Sequence, residues 1–490
     1  MGGEKRVDGH PIREYVPYNF ARAAVLGLML AQARESRRAR LRMRRTFPTL
    51  ATAALLAAFA VGAAPARAAV GLSPAHGFAP GQLVVKLDGE RRAGTLPLPA
   101  GTGVREAAAA LRANPRVAYA EPDYLATASA APLPFTVPDD SGTLARGAEA
   151  ASGVTSAWAY KQWNFMAPEP EAGSRLPVSS GGINAIGAWR HLAEAGRPGA
   201  RGVTVAVLDT GVAYRNYKGS FLRSPDFSAA QFVPGYDFVD HDKLPLDENG
   251  HGTHVAGTIA EQTDNGFGLT GLAYNSKLMP VRVLDAQGRG RASEIAKGIR
   301  FAVKHHAQVI NMSFNFGCGK KVPEVDEALR EAYERGVVTV ASAGNLGSET
   351  CVSEPATGPR VLAVGGSTEG GCLGGYSLAG QAIDLLAPGG GRPAPGCTSI
   401  SARPIYQVTL RRHTTNAFAI PGDYVGTSMA AAHVSGAAAM VLAAGVIPQK
   451  RPQARVEAVT KRLRSTARTL GLKRTQQGAG LIDAAAATAP

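Results

Sequence analysis

Long apolar runs are scarce in this 490-residue chain. One stands out, from Leu50 to Ala64, and no second long span is read, which excludes a multi-span membrane protein. Cysteine is scarce too: the four, Cys318, Cys351, Cys372 and Cys397, lack CxxC spacing, so a zinc site is not expected. No internal repeat is visible. Acidic residues are in deficit, 38 against 53 Lys and Arg, for a net charge of +15 that raises the question of a nucleic-acid or anionic-surface partner. The deficit is local. Residues 1–69 hold 12 basic and 4 acidic residues, residues 449–474 hold 9 and 1, and the body between and beyond them is nearly neutral at −1. No nucleic-acid partner is therefore expected. A 45% hydrophobic and 19% charged composition is that of a folded soluble protein, not of a disordered chain, a collagen or a coiled coil.

The length fits about three units at roughly 150 residues each, or fewer and larger α/β domains. Met43-Arg44-Arg45, the apolar run and the small-x-small site Ala66-Arg67-Ala68 together have the three parts of a secretory signal peptide over residues 43–68. Residues 1–42 are read as a misassigned start or a disordered extension. Export to the medium or the periplasm is expected, and no membrane anchor, because no cysteine stands at the cleavage site to carry a lipid.

Residues 69–126 read as a small α+β unit: a strand Gln82–Leu87, a helix near Arg105–Arg112, and a second strand Arg116–Ala120 closed by Glu121-Pro122, in a βαβ-like arrangement. A Ser-, Gly-, Ala- and Pro-rich linker, suited to proteolytic nicking, follows over residues 127–153. From residue 154 to 490, short apolar runs at Val203–Leu208, Val309–Met312, Val337–Ala341 and Val361–Val364 alternate with helical stretches such as Ala292–His305. That alternation predicts an α/β domain, a three-layer, mostly parallel sheet flanked by helices. Behind a signal peptide the four cysteines suit two disulfides rather than buried thiols. Three pairings are open, with Cys318–Cys351 and Cys372–Cys397 taken as the working one.

Three segments carry chemistry. Asp209 ends the run Val205–Leu208, where catalytic groups of parallel sheets gather, although an Asp there also caps turns. Asn249-Gly250-His251-Gly252-Thr253-His254 sets two histidines three apart without the Glu of the zinc-protease motif, so one base and one packing residue is the better reading. The glycines flanking His251 should leave its ring free. Gly426-Thr427-Ser428 opens an Ala-rich helix that is apolar all round, so Ser428 sits at a helix N-terminus that favours negative charge, or merely caps it.

Taken together, these blocks resemble the three signatures of the subtilisin-like serine peptidases (subtilases, peptidase S8), with similarity from about Ile183 to Asp483. The resemblance implies a serine endopeptidase acting on proteins or peptides, with Ser428 as nucleophile, His251 as its base and Asp209 orienting the imidazole. His254 is left without a catalytic role. Thr339–Asn345 is similar to the family's oxyanion block, which implies that Asn345 and the Ser428 N–H bind the oxyanion, with Gly344 lining the site. The implied substrate strands are Gly288-Arg289-Gly290 and Ser313-Phe314-Asn315, where Phe314 and Asn315 replace the family's usual residues and should narrow the first pocket.

Asp237, Asp240 and Asp242 resemble a calcium loop of some family members, departing at Leu246; a structural calcium and a solvated acidic loop are both open readings, and no cofactor is needed for the chemistry. Residues 69–126 resemble the family's propeptide, which implies an intramolecular inhibitor removed by self-cleavage. Gly478–Asp483 matches the end of the family's catalytic domain, so no further C-terminal domain is expected, and the protein is expected to be a monomer. Within the basic C-terminal segment, Val456, Val459, Leu463 and Leu470 should form the inner face of one surface helix. The rival functions are a catalytically inactive subtilase-fold binding module and an anionic-polymer binder.

Overall fold

The computed structural model describes residues 78–128, 144, 157–170, 176–263, 265, 267–347, 351–448 and 451–490. The residues read as a signal peptide (43–68), as an extension (1–42) and most of those read as a linker (127–153) lie outside the described residues.

Seven parallel strands form the central sheet: β4 (Thr204–Asp209), β5 (Tyr236–Asp237), β6 (Lys277–Arg282), β8 (Val309–Met312), β10 (Val338–Ser342), β11 (Val361–Ser367) and β12 (Leu385–Pro388), in the order β12-β11-β10-β8-β4-β6-β5. Strand alternation divides the core between two faces. In β4, Val205 and Val207 join one apolar cluster while Ala206 and Leu208 join another. Helices Ala292–Lys304 (α4) and Pro323–Glu334 (α5) cover the second face. Helices Ala185–Glu194 (α2), His251–Ala260 (α3), Thr427–Ala444 (α6) and Pro452–Ser465 (α7) contribute to the first. The expected α/β three-layer architecture is the observed one.

Helix α6, the helix read from the sequence as apolar all round, is long and apolar enough to span a bilayer, and 89% of its apolar window is buried in the core. On α7 the buried face is Val456, Val459 and Leu463, whereas Leu470 lies beyond the helix end and is half-buried. Cys318 is bridged to Cys351 and Cys372 to Cys397.

The N-terminal unit corrects the βαβ reading. Strands β1 (Phe78–Leu87), β2 (Gly94–Pro97) and β3 (Val117–Ala128) form an antiparallel sheet in the order β2-β1-β3, with α1 (Val104–Arg112) packed on it. Nor does Pro122 end the second strand. It stands opposite Leu83 beside a break in register, where the missing N–H is tolerated, and the strand runs on to Ala128. There it becomes part of the larger unit: Leu125, Ala126 and Thr127 pair antiparallel with Arg291, Gly290 and Arg289 of β7 (Arg289–Arg291), and Thr127 and Ala128 pair with Asn315 and Phe314 of β9 (Phe314–Asn315). The last residues of this unit therefore fill the slot between the two strands expected to hold substrate.

Candidate active site

Strands β6 and β8 flank β4 on opposite sides, so the sheet's winding reverses there and a crevice opens at the strand's carboxyl end. Asp209 is the last residue of β4 and is fully buried. Its Oδ1 accepts the Thr210 N–H at 2.8 Å and lies 2.7 Å from His251 Nδ1. Burial disfavours the imidazolium, but the Asp209 charge and hydrogen bond outweigh it, and the His251 pKa is raised above its ordinary value. With Nδ1–H given to Asp209, the lone pair of His251 is on Nε2, which is buried and without a partner.

His251 opens α3, and the adjoining glycines do a different job from the one expected of them. A Cβ on Gly252 would come within 2.1 Å of the Gly211 carbonyl oxygen and 3.1 Å of Asp209 Cβ, so Gly252 lets the helix approach the end of β4. The His251 ring itself is 97% covered, since its exposure is 3%. The sequence reading missed Asp247, whose carboxylate organises the helix start. It accepts the N–H groups of Asn249, Gly250 and Thr253, each at 2.9 Å, and the hydroxyls of Thr210 at 2.9 Å and Thr253 at 2.6 Å. An Asp just before a helical segment was the available signal. Burial raises its pKa against all those donors.

Two further buried histidines, His254 and His433, are bound up in structure. His254 Nε2 bonds the Ile405 carbonyl at 3.0 Å and its ring stacks on Tyr424, with centroids 4.0 Å apart; burial lowers its pKa to about 3. His433 bonds Met429 O at 2.7 Å and Asn164 at 2.8 Å, and burial lowers its pKa to about 4. Neither offers a proton-transfer site near neutral pH.

Ser428 lies in the first turn of α6, fully buried. Its Oγ donates to the Ser313 carbonyl at 3.1 Å, and the Ser313 hydroxyl donates to the Ser428 carbonyl at 2.9 Å. Behind them Ser435 Oγ donates to Asn311 Oδ1 and Asn311 Nδ2 donates to Ser313 Oγ, each at 2.9 Å. Asn345 follows β10. Its Oδ1 accepts the Thr427 N–H at 2.9 Å and the Thr427 hydroxyl at 2.8 Å, which fixes the amide and leaves Nδ2 buried with no partner. Gly344 has φ +112°, and a Cβ there would stand 2.6 Å from Leu378, so only glycine fits.

The substrate-strand candidates come together around β3. Gly290 and Arg289 of β7, and Phe314 and Asn315 of β9, pair with it, with Gly288 and Ser313 adjoining. The Phe314 ring is not a pocket wall as expected: it is fully buried in the core beside Phe316, ring centroids 6.3 Å apart.

The acidic loop also differs from expectation. Arg282 reaches Asp237 at 2.8 Å, Asp240 at 2.6 Å and Glu248 at 2.8 Å, so a guanidinium stands where calcium was considered. Asp242 turns away to accept the Leu244 N–H at 2.7 Å. Among the described residues no group of three His, Cys, Asp or Glu is arranged to hold a metal.

The parallel sheet thus carries the buried Asp209–His251 pair at its switch point and Ser428 at the start of α6. The Subtilase family pattern matches residues 200–481, and the chain belongs to that family of serine endopeptidases. It is 37% identical over 247 residues to the "Thermophilic serine proteinase" of Bacillus sp. (strain AK1), covering 50% of this chain and 54% of that relative. With "Subtilisin BL" of Lederbergia lenta it shares 35% over 292 residues, 59% of this chain and 91% of the relative. A solved protease of Pseudoalteromonas arctica PAMC 21717 superposes with a TM-score of 0.52 at 33% identity, over 63% of this chain and 94% of that one.

Proposed function

We propose that this chain is an exported, self-processing serine endopeptidase in which Ser428, His251 and Asp209 form the catalytic triad. The observation that carries the reading is the 2.7 Å Asp209–His251 bond, which leaves a buried, unpartnered Nε2 as the available base. In the reaction, Ser428 Oγ attacks the peptide carbonyl carbon and its proton passes to His251 Nε2. The oxyanion is met by Asn345 Nδ2 and the Ser428 N–H, both held in place before the charge develops. Collapse breaks the C–N bond as His251 returns the proton to the leaving amine, giving an acyl-enzyme. Water, deprotonated by His251, then releases the acid. Asp209 holds the imidazole by Nδ1–H and steadies the imidazolium.

Residues 69–126 act as an inhibitory propeptide in this reading. Support comes from the antiparallel pairing of Leu125–Ala128 with β7 and β9, the way an extended peptide adds to strand edges. Export is supported by the leader pattern at residues 43–68. Expression from Met43 followed by intact-mass measurement tests the reading: wild type should shed the N-terminal unit, and Ser428→Ala should keep it. A mutant that matures unaided would refute self-processing.

A further inference from the structure

Two surface segments near His251 are basic and contain no acidic residue. Residues 213–223 follow the Asp209 strand and expose Arg215, Lys218 and Arg223. The hairpin of β13 (Thr409–Leu410) and β14 (Phe418–Ala419) exposes Arg411, Arg412 and His413 at its tip. The segments are fastened together: Leu222 N donates to Thr415 O at 3.0 Å, and Thr415 Oγ1 donates to Ser220 O at 2.6 Å. The base of the hairpin is fastened to the site, because Thr409 Oγ1 donates to the carbonyl of Gly250, the residue before His251, at 2.5 Å. A Cβ on Gly250 would stand 3.4 Å from Leu410 O, so Arg411 starts one residue from the loop that carries the base.

The countercharges nearby are few. Asp423 pairs with Arg412, and Asp242 faces Tyr214. Among the described residues no carboxylate lies within ion-pair distance of Arg215, Lys218, Arg223 or Arg411, so the rim has positive potential to spare.

A peptide lying along β9 in the direction of β3 meets Ser313 next, and the Ser313 carbonyl holds the Ser428 hydroxyl. In the proposed reaction His251 protonates the leaving amine, so the residues after the scissile bond lie on its side of Ser428, next to Gly250 and the hairpin bonded to it. We propose that this basic rim selects protein and peptide substrates with acidic residues on the C-terminal side of the scissile bond. The proposal rests on the peptidase reading above. An extended chain advances about 3.3 Å per residue, so the second to fourth residues after the bond come within reach of long arginine side chains. Each exposed pair gives roughly a two- to fivefold effect, so two acids together should give about tenfold at low salt.

The test uses quenched fluorescent peptides that differ only at the second and third residues after the cut: Asp-Asp, Ala-Ala or Lys-Lys. The expected kcat/KM is about tenfold higher for the acidic than for the basic peptide near 20 mM salt, shrinking to about twofold or less at 1 M as screening shortens to roughly 3 Å. The double variant R223E/R411E should reverse the order of the acidic and basic peptides. Equal rates for all three peptides at low salt, or a preference that survives the double variant, would overturn the proposal. Failure of the peptidase reading would look different, as no cleavage of any peptide.

Discussion

Ser428 and Ser313 clasp each other through two hydrogen bonds, each hydroxyl donating to the other's backbone carbonyl, at 3.1 Å and 2.9 Å. The clasp joins the start of α6 to the edge where β9 begins, and so couples the candidate nucleophile to the strand that would hold substrate. It also turns the Ser428 hydroxyl toward a carbonyl while His251 Nε2 has no partner, so substrate must compete that hydroxyl away from Ser313 before attack. Ser313→Ala removes one half of the clasp. A net hydrogen bond contributes about 1 kcal/mol, so kcat should fall about fivefold with little change in KM, read from steady-state kinetics on one peptide.

Asn345→Ala should spare binding and cripple chemistry. Thr427 already holds the Asn345 oxygen at two points, so the amide N–H groups are poised without further reorganisation. Loss of such a donor costs roughly 3–4 kcal/mol, a magnitude that comes from this same family. The expected result is kcat lower by about 100- to 1000-fold at nearly constant KM.

The acid limb of activity should report His251. Its pKa is raised, so the imidazolium persists to higher pH than in a free histidine and the base form appears only as pH climbs through the raised value. Activity should therefore rise with pH through a midpoint above the ordinary 6.5. In Asp209→Asn the wrong tautomer is favoured, and kcat should drop about ten-thousandfold. A pH–rate profile of kcat/KM checks both.

Glu121 should make docking of the N-terminal unit pH-dependent. It is buried, and burial together with Glu354 raises its pKa to about 8, Asp326 and Glu324 adding to the rise and Arg112 opposing it. Docking is strongest with the carboxyl protonated and is lost progressively as pH rises from 4.5 through about 8. The contribution at stake is on the order of 2–4 kcal/mol. In the Ser428→Ala chain, which keeps the unit attached, Glu121→Gln should flatten the pH dependence of the urea midpoint at which the N-terminal unit is released, read between pH 4.5 and 8.

Asp247→Ala should destabilise the domain. Five donors, four of them buried, lose their acceptor at once, and leaving such groups unsatisfied costs roughly 3–5 kcal/mol. Urea unfolding should show a lower midpoint with an unchanged slope.

What could be read from the sequence was whatever depends on local pattern. Apolar runs such as Val309–Met312 gave the parallel strands; a strand end, flanking glycines and a helix start drew attention to Asp209, His251 and Ser428, while their roles and that of Asn345 came from the resemblance to the subtilases. Other features arise only from long-range geometry. Arg282, at a strand end far from the acidic loop in sequence, occupies the place considered for calcium. Phe314 looked like a pocket wall because its neighbours line the cleft, yet strand alternation turns its ring inward. Pro122 looked like a terminator, but the register break beside it relieves the ladder. The role of Gly252 is set by the carbonyl of Gly211, which no local pattern reveals.

The most direct test of the central claim is to label mature protein with a fluorophosphonate and locate the adduct by peptide mass spectrometry. One adduct is expected, on Ser428, absent in His251→Ala. An adduct on another serine, or peptide cleavage by a protein that stays unlabelled at Ser428, would contradict it.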